Sequence, residues 1–399
     1  MRGRFNSANY KEIKNGLTTD IYFVRTVEIL KREGVNPRVL AEFTMHRPPR
    51  KWPWVVFVGL DEVLELLEGV PVDLYSIPEG TVLPYKDSRG IKVPVMYIEG
   101  PYADFAVYET PILGFISQAT GIATKAARIK KIAGNKLVLS FGIRRMHPAI
   151  APMIDRASYI GGCDAVSSVL GAKLLGLKPT GTMPHALILA LGSPERAWLA
   201  FDKHMPEDVP RIALVDTISD EKREALRAAE LLGEKLYGVR LDTPSSRRGN
   251  MRDIVLEVRW ELDLMGYRHV KIVVSGGLDE ESVAELRDVA DAFGVGSSIS
   301  NAPAVDFAMD IVEVEGKPIA KRGKLAGGKV VMRCRSCMRY FVYPRSDVKD
   351  VCPVCGGELE SLLKKYIENG KIIREPEDPK DIRKRVLEQI KRISLESYP

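Results

Sequence analysis

The strongest constraint on the fold is the alternation of strand-like and helix-like segments between residues 136 and 299. Most of the strand-like runs are separated by segments with helical periodicity, such as 220–232, 251–265 and 280–290. Spacings of about 20 to 35 residues fit βα units, whose strands pair in parallel through right-handed crossovers. The alternation therefore predicts an irregular, incomplete α/β barrel, with an open doubly wound sheet as the alternative. The predicted strands are residues 136–141, 159–164, 178–182, 211–217, 237–242, 269–275 and 292–299.

The segments before and after this alternation predict further parts of the chain. Short strands mixed with turns and two helices, 19–33 and 61–67, indicate an N-terminal α+β domain. A long helix is expected from Thr110, with proline at its first position, to about residue 132. We expect an N-terminal domain at 1–110 that includes a return of the chain at 309–330, a barrel at 111–308, and a cysteine module with a C-terminal helix at 331–399. The predicted N-terminal strands are residues 39–44, 54–58, 73–77, 81–84 and 93–99.

Composition and charge limit the classes of function. The 399 residues are 45% hydrophobic and 28% charged, as in ordinary globular proteins. No apolar run is long enough to span a bilayer, and no secretory signal follows the basic start, so we expect no membrane association and a cytoplasmic location. The net charge of +6 suits an anionic partner. Because basic and acidic residues are interleaved, a small anionic molecule is favoured over nucleic acid.

Four of the five cysteines lie close together near the C-terminus. They form two Cys-x2-Cys pairs, Cys334 with Cys337 and Cys352 with Cys355, with fourteen residues between the pairs. This is close to the spacing of zinc ribbons, and two disulfides are the alternative. The pattern predicts a structural Zn²⁺ bound by four thiolates, which would leave no open position for chemistry.

Candidate catalytic residues follow the predicted strands, where parallel α/β sheets and barrels present functional side chains. His185 comes at the end of Gly-Thr-Met-Pro-His, between a strand candidate and an apolar helix. Asp216 and Asp242 end two later strands and suit Mg²⁺ or ribose hydroxyls, or alternatively cap the following helices. Arg144 and Arg240 could bind a carboxylate or phosphate through paired hydrogen bonds. Phe141 could stack on a flat heterocycle or belong to the core.

Two glycine- and serine-containing turns follow the last two predicted strands. They consist of Ser275, Gly276 and Gly277, and of Gly296, Ser297 and Ser298. Glycine allows backbone N–H groups to approach an anion, and late βα loops are the usual phosphate position in such barrels. The two turns therefore predict a phosphate-binding site.

Taken in order, these strand ends resemble those of the nicotinate phosphoribosyltransferase family. The resemblance rests on Phe-Gly-x-Arg-Arg, Gly-Thr-Met-x-His, Val-Asp-Thr, Val-Arg-x-Asp, Ser-Gly-Gly-Leu-Asp and the late Gly-x-Gly-Ser. The segments 17–22 and 316–324 match as well, so the resemblance covers about residues 15–330. It implies a type II phosphoribosyltransferase fold, assembled as a homodimer with active sites at the subunit interface. It also implies nicotinate and phosphoribosyl diphosphate as substrates, ATP as co-substrate, Mg²⁺, and a role in NAD biosynthesis.

The resemblance also assigns roles to individual residues. His185 would be phosphorylated by ATP, and Phe141 would sandwich the pyridine ring with Tyr22 of the partner subunit. Arg144 and Arg240 would lie near the nicotinate carboxylate and the sugar phosphate. Asp216 and Asp242 would lie near the ribose and Mg²⁺. The 5-phosphate would be bound by Ser275–Gly277 and Gly296–Ser298, and the diphosphate by Arg47, Lys321 and Lys324. Because the transfer needs the ring nitrogen held in line, we also expect Asp216 to orient it.

Three alternative functions remain open at this point. Quinolinate phosphoribosyltransferase would need further cations for a second carboxylate and no ATP-accepting histidine. Nicotinamide could be the substrate instead of nicotinate, because Asp164 is expected near the pyridine pocket. The cysteine module and positive charge could alternatively indicate a zinc-ribbon protein that binds nucleic acid. Cys163 is expected to be a small buried residue.

Overall fold

The computed structural model describes residues 5–399, which form two compact units. The first unit comprises the chain up to Thr124 together with Pro303–Pro399, and the second comprises Lys125–Ala302. The cysteine module and the C-terminal helix lie in the first unit. No described helix combines the length and apolar character that crossing a membrane requires.

The helices and strands are numbered here in chain order. The helices are α1 Tyr10–Lys14, α2 Ile21–Glu33, α3 Leu60–Leu67, α4 Tyr102–Phe105, α5 Glu109–Ala133, α6 Ala151–Ile160, α7 Val169–Leu174, α8 His185–Leu191, α9 Pro194–His204, α10 Glu221–Leu232, α11 Met251–Leu264, α12 Glu280–Leu286, α13 Ser297–Ser300 and α14 Pro379–Lys391. The strands are β1 Arg38–Arg47, β2 Val55–Val56, β3 Asp73–Ser76, β4 Val82–Leu83, β5 Pro94–Pro101, β6 Leu137–Ser140, β7 Ala165–Val166, β8 Arg211–Leu214, β9 Leu236–Leu241, β10 Lys271–Ser275, β11 Ala292–Val295, β12 Asp306–Val314, β13 Lys317–Pro318, β14 Lys329–Cys334, β15 Tyr340–Pro344, β16 Leu359–Ser361, β17 Lys364–Glu368 and β18 Lys371–Ile372.

The first unit is built on an antiparallel sheet with the order β13-β12-β1-β5-β3-β17-β18. Strand β1 pairs with both β5 and β12, so the chain that returns after the second unit completes the sheet. The return passes close to α5, because a Cβ on Gly121 would lie 2.2 Å from the carbonyl oxygen of Pro303. Only glycine permits this approach.

The cysteine module contains the small sheet β15-β14-β16, which packs against the core of the rest of the first unit. The buried Tyr340 hydroxyl donates to the carbonyl of Val82 at 2.9 Å. Helix α14 buries one face, including Ile382, Val386 and Ile390, as its amphipathic sequence predicts. Its Gln389 accepts from the Val82 amide at 3.1 Å and donates to the Gly80 carbonyl at 2.8 Å.

The second unit contains a curled parallel sheet that forms half of a barrel, with the order β7-β6-β11-β10-β9-β8. Every neighbouring pair in this sheet is parallel. The predicted α/β class and the incomplete barrel with an N-terminal domain are thus confirmed. Because the strands are parallel, their carboxyl ends lie at one edge of the sheet.

Two of the seven predicted barrel strands are wrong. Residues 159–164 lie at the end of α6 and in the turn after it. The sheet strand of this region is β7, which begins only at Ala165. A short, fully buried apolar run cannot be assigned to helix or strand by periodicity alone, and residues 159–163 are such a run. Residues 178–182 form a loop, in which the Thr180 amide donates to Val166 at 2.9 Å. Pro179 has no backbone N–H, so it could not donate the hydrogen bond that pairing with a neighbouring strand requires.

Candidate functional site

His185 lies at the start of α8 and contacts side chains from two strand ends. Its Nδ1 is 3.0 Å from the hydroxyl oxygen of Thr217. Its Nε2 faces two carboxylates, 3.5 Å from Asp242 Oδ2 and 4.0 Å from Asp216 Oδ1. The imidazole side chain is 38% exposed, so a substrate can reach it. With Nδ1 bound to Thr217, Nε2 is the ring nitrogen that faces a ligand.

Asp216 is held rigidly beneath the imidazole. Its Oδ2 accepts hydrogen bonds from the Asp242 amide at 2.7 Å and the Thr243 hydroxyl at 3.0 Å. Its Oδ1 has no hydrogen-bond partner among residues 5–399, and the side chain is only 2% exposed. Desolvation raises the pKa of Asp216, although the hydrogen bonds from Asp242 and Thr243 and the charge of His185 oppose the change. A buried carboxylate oxygen without a donor is therefore available to a ligand or a protonated imidazole.

Arg240 joins two strand ends and the loop before α8 through its guanidinium. Nη2 donates to Asp242 Oδ2 at 2.9 Å, Nε to the Ser275 hydroxyl at 2.9 Å, and Nη1 to the Thr182 hydroxyl at 2.7 Å. The Ser275 hydroxyl in turn donates to Asp242 Oδ1 at 2.8 Å. All three guanidinium nitrogens are engaged, so Arg240 is fixed in one orientation.

Two adjoining cavities open at this edge of the sheet and share Arg144, Thr182 and Arg240 as lining residues. The first, about 290 Å³, is lined by Phe141, Arg144, Ser167, Pro179, Thr180, Gly181, Thr182 and Arg240. The second, about 410 Å³, is lined by Arg144, Thr182, Met183, Pro184, His185, Ala186, Arg240 and Asp242. The first has a flat aromatic ring and cations but no carboxylate, whereas the second contains the imidazole and Asp242. The two cavities therefore differ in the charged and aromatic groups that they offer to a ligand.

The position of the Phe141 ring depends on Gly294. A Cβ on this residue would lie 2.7 Å from two carbons of the ring and 3.0 Å from Ser275 Cβ. The guanidinium carbon of Arg240 lies 5.8 Å from the ring centroid, within the range of a cation–π contact. Phe141 is therefore held between the sheet backbone and a fixed cation, with its remaining surface in the first cavity.

The two predicted phosphate-binding turns follow neighbouring parallel strands, β10 and β11. Gly276 and Gly277 have φ values of +88° and +73°, a conformation that favours glycine. A Cβ on Gly276 would approach the Asp242 carbonyl to 3.0 Å. Gly296 precedes α13, which contains Ser297 and Ser298. The structure thus places the two turns side by side, and phosphate binding there stays a prediction.

The other predicted substrate-binding residues belong to the first unit. Tyr22 on α2 is 56% exposed, and Arg47 ends β1 in an exposed position. Lys321 and Lys324 lie in a turn after β13 and both pair with Asp310 on β12. Nearby, burial raises the pKa of Glu109 to about 7, with a further contribution from Asp310.

Asp164 is not where the sequence analysis placed it. It precedes β7 and therefore lies at the amino edge of the sheet, where it accepts from Lys130 Nζ and the Val138 amide, both at 2.8 Å. The residue that follows β7 and lines the first cavity is Ser167. Cys163 is buried as expected.

Sequence reasoning missed Ser167, Thr182 and Thr217 as side chains of the site. Thr182 and Thr217 belong to the motifs Gly-Thr-Met-Pro-His and Val-Asp-Thr, which the sequence already indicates as functional. Their hydroxyl groups could have been recognised there as possible hydrogen-bond partners of the site. Ser167 was missed because the end of α6 and the following turn were predicted as a strand. That error placed the expected strand end at Asp164, three residues before Ser167.

The four C-terminal cysteines form a cluster in the first unit. Their sulfur atoms all lie within 4.8 Å of one another, with Cys334 and Cys355 at 3.4 Å and Cys337 and Cys352 at 3.8 Å. Thiolates around a tetrahedral Zn²⁺ at about 2.3 Å are about 3.8 Å apart. The donor set and spacing are compatible with zinc.

Comparison with known proteins identifies the family. Models of the C-terminal and N-terminal domains of quinolinate phosphoribosyl transferase match residues 122–310 and 20–120. The chain is 58% identical to a crystal structure of nicotinate-nucleotide pyrophosphorylase from Pyrococcus furiosus, with a TM-score of 0.94 over 98% of this chain and 99% of that one. Human nicotinic acid phosphoribosyltransferase shares the fold at 21% identity, with a TM-score of 0.77 over 96% of both chains. A nicotinate phosphoribosyltransferase of Mycobacterium tuberculosis is 32% identical over 79% of this chain and 73% of the relative, and that of Bacillus subtilis is 28% identical over 77% and 68%. With this identity, this coverage and the shared fold, the chain belongs to the nicotinate phosphoribosyltransferase family.

Proposed function

We propose that this protein transfers the phosphoribosyl group of phosphoribosyl diphosphate to the ring nitrogen of nicotinate, forming nicotinate mononucleotide and diphosphate. The single observation that carries the choice of substrate is the first cavity, which has an aromatic face, two guanidinium groups and no carboxylate. A flat, anionic heterocycle of the size of nicotinate suits such a lining. The product is a precursor for NAD biosynthesis.

The charges in this cavity favour nicotinate over its amide and over quinolinate. Asp164, which could have accepted a hydrogen bond from an amide, pairs with Lys130 elsewhere, and Ser167 takes its expected place. Arg240 is engaged at all three nitrogens, whereas Arg144 has no ion-pair or hydrogen-bond partner for its guanidinium among the described residues. One available guanidinium matches one carboxylate, and a dicarboxylate would need a second.

Transfer at C1 of the ribose passes through an oxocarbenium-like state, so positioning and electrostatics supply most of the catalysis. The turns at Ser275–Gly277 and Gly296–Ser298 would bind the 5-phosphate. Asp216 and Asp242 would lie near the ribose and hold Mg²⁺, whose charge would assist departure of the diphosphate. Arg47, Lys321 and Lys324 would bind that diphosphate, and Tyr22 of the partner subunit would cover the pyridine ring in a homodimer.

His185 would couple the reaction to ATP. In the tautomer with the proton on Nδ1, that proton would be donated to the Thr217 hydroxyl 3.0 Å away and the lone pair would lie on Nε2. Nε2 would attack the γ-phosphorus of ATP, the bond to the bridging oxygen would break, and ADP would leave; water would later hydrolyse the phosphohistidine. The carboxylates of Asp216 and Asp242 beside Nε2 would stabilise the imidazolium charge of the phosphorylated ring.

The cysteine cluster would hold a structural Zn²⁺ in a zinc-ribbon-like module. All four ligand positions would be filled by thiolates, so the metal would brace the module without taking part in the chemistry. We expect the enzyme in the cytoplasm, where its nucleotide substrates are found.

The test is a product assay with phosphoribosyl diphosphate, Mg²⁺ and each of nicotinate, nicotinamide and quinolinate, with and without ATP. We expect nicotinate mononucleotide from nicotinate and a higher yield when ATP is present. Formation of the same product from quinolinate, with release of CO₂, would instead support quinolinate phosphoribosyltransferase, the activity of the matching domain models. Turnover of nicotinamide alone would contradict the interpretation of the cavity.

A further inference from the structure

One buried carboxylate in the first unit is shared by two lysines. Asp310 lies on β12 with its side chain 2% exposed, and one of its oxygens is 2.6 Å from Lys321 Nζ. The other oxygen pairs with Lys324 Nζ. Within residues 5–399, no hydrogen bond from any other group reaches either oxygen. The two ammonium groups therefore compensate the desolvation of the carboxylate.

The local backbone explains how both lysines reach the same carboxylate. The Lys324 amide donates to the Lys321 carbonyl at 3.1 Å, which closes a four-residue turn. Gly323, the third residue of the turn, has a φ of +86°. The first and last side chains of this turn both point to Asp310. The turn and the strand thus fix two cations at one place.

A neighbouring ion pair differs in its balance of charge. Glu42 lies opposite Asp310 in the pairing of β1 with β12, and its carboxylate binds one lysine, Lys329, at 2.8 Å. Asp310 instead binds two lysines, so these three side chains together carry one excess positive charge, with Glu109, whose pKa burial raises to about 7, nearby. Lys321 is 68% exposed at its side chain and Lys324 only 16%. The ammonium group of Lys321 is therefore exposed to solvent, whereas that of Lys324 is largely buried beside the same carboxylate.

We propose that Asp310 is a positioning residue that holds Lys321 and Lys324 together as a preformed binding site for the diphosphate group of phosphoribosyl diphosphate. The assignment of the ligand rests on the proposed function, whereas the geometry of the carboxylate and lysines does not. Without the carboxylate, Lys324 would keep, among the described residues, only the Thr44 hydroxyl at 3.4 Å as a partner. A largely buried ammonium without a carboxylate partner moves to solvent, and the two-cation site is lost.

The test is Asp310→Asn in the full-length enzyme, with inorganic diphosphate and Mg²⁺ as the calorimetric probe. We expect diphosphate affinity to fall about 10- to 100-fold, the range for one or two lost charge-assisted hydrogen bonds. KM for phosphoribosyl diphosphate should rise by a similar factor, with KM for nicotinate little changed. If Asp310 had only a structural role, its replacement would not raise KM for phosphoribosyl diphosphate selectively over KM for nicotinate.

The matched control is Asp202→Asn, because Asp202 also holds two cations, Arg211 at 3.0 Å and Lys235 at 2.9 Å. It should lower the unfolding temperature without changing diphosphate affinity. Unchanged or tighter diphosphate binding in Asp310→Asn would overturn the proposal, as would a wild-type enzyme that does not bind diphosphate. These binding results stand even if the wild type fails to use nicotinate, which would refute the proposed function alone.

A second set of variants keeps the proposal testable if Asp310→Asn does not fold. The triple variant Asp310→Asn with Lys321→Met and Lys324→Met leaves no buried charge unpaired in the cluster. If Asp310 acts through the lysines, this triple variant should bind diphosphate as weakly as Lys321→Met with Lys324→Met. Clearly weaker binding by the triple variant would show that Asp310 acts in another way, and would overturn the proposal.

Discussion

Replacing Gly294 by alanine tests whether the position of Phe141 controls binding of the pyridine ring. The added Cβ would lie 2.7 Å from two ring carbons, whereas ordinary contacts begin near 3.4 Å, so the ring must move by about 0.7 Å. The strand backbone on the other side cannot yield easily, because Gly294 pairs with Ser275 on β10 and Leu139 on β6. The ring therefore moves into the first cavity, where we expect nicotinate to stack.

The size of the effect follows from the stacking energy. An aromatic pair contributes about 0.5 to 1.5 kcal/mol beyond area burial, so loss of the stack should raise KM for nicotinate about 2- to 13-fold. Overpacking at this position should also lower the free energy of unfolding by about 1 to 3 kcal/mol. Steady-state kinetics with each substrate varied in turn, together with thermal unfolding, measure both changes.

Two controls separate the ring contact from a general loss of stability. Gly114→Ala adds a methyl group in α5 with no heavy atom within 4 Å of it apart from the neighbouring backbone of its own helix, and should leave KM for nicotinate unchanged. In the Phe141→Ala background the clash with the ring is absent, so Gly294→Ala should cause little further rise in KM for nicotinate there. A folded Gly294→Ala enzyme with an unaltered KM for nicotinate would refute the stacking role of Phe141.

Three further predictions concern other parts of the site. His185→Ala should abolish stimulation by ATP while leaving slow, ATP-independent transfer, because its imidazole is the proposed phosphoryl acceptor; equal stimulation in this variant would refute that role. Asp216→Asn should lower activity yet unfold at a higher temperature than wild type near neutral pH. Desolvation raises the pKa of Asp216 in the folded state, so ionisation of Asp216 destabilises the fold. This destabilisation is absent at pH values below the pKa of the unfolded state and fully present at pH values above the pKa of the folded state. The difference in unfolding temperature should therefore grow as the pH rises from about 4, near the unfolded pKa, through the raised pKa of the folded state, and a difference independent of pH would contradict this reasoning. A zinc chelator, or Cys355→Ser, should release about one Zn²⁺ per chain and lower the unfolding temperature. Elemental analysis that finds no zinc in the purified protein would contradict the metal assignment.

The sequence predicts the strand ends of the second unit best where a strand is bounded by polar residues. Five of the predicted barrel strands match β6 and β8–β11 to within a few residues. The side chains that follow them, such as Asp216, Asp242 and Ser275, contact one another because parallel strands bring their carboxyl ends to one edge. This convergence required only the alternation of strands and helices and the hand of the crossovers.

The sequence could not predict what depends on packing between distant segments. The end of α6 and the turn after it were predicted as a strand because residues 159–163 are all buried, and this error moved the expected pocket residue from Ser167 to Asp164. The pairing of Asp310 with two lysines arises from a turn and a strand whose approach no local pattern encodes. The direction of the Asp216 pKa shift likewise depends on burial by elements far away in the chain.

The return of the chain at Pro303 has a consequence for synthesis on the ribosome. Strand β1 emerges early, but its partner β12 is made only after the whole of Lys125–Ala302 has been translated. The second unit is continuous in sequence and can therefore fold during translation, while the first must wait with one edge of β1 unpaired. Vectorial folding would thus run from the middle of this polypeptide outward, and a chaperone that shields nascent strands would have its main task at the amino-terminal segment.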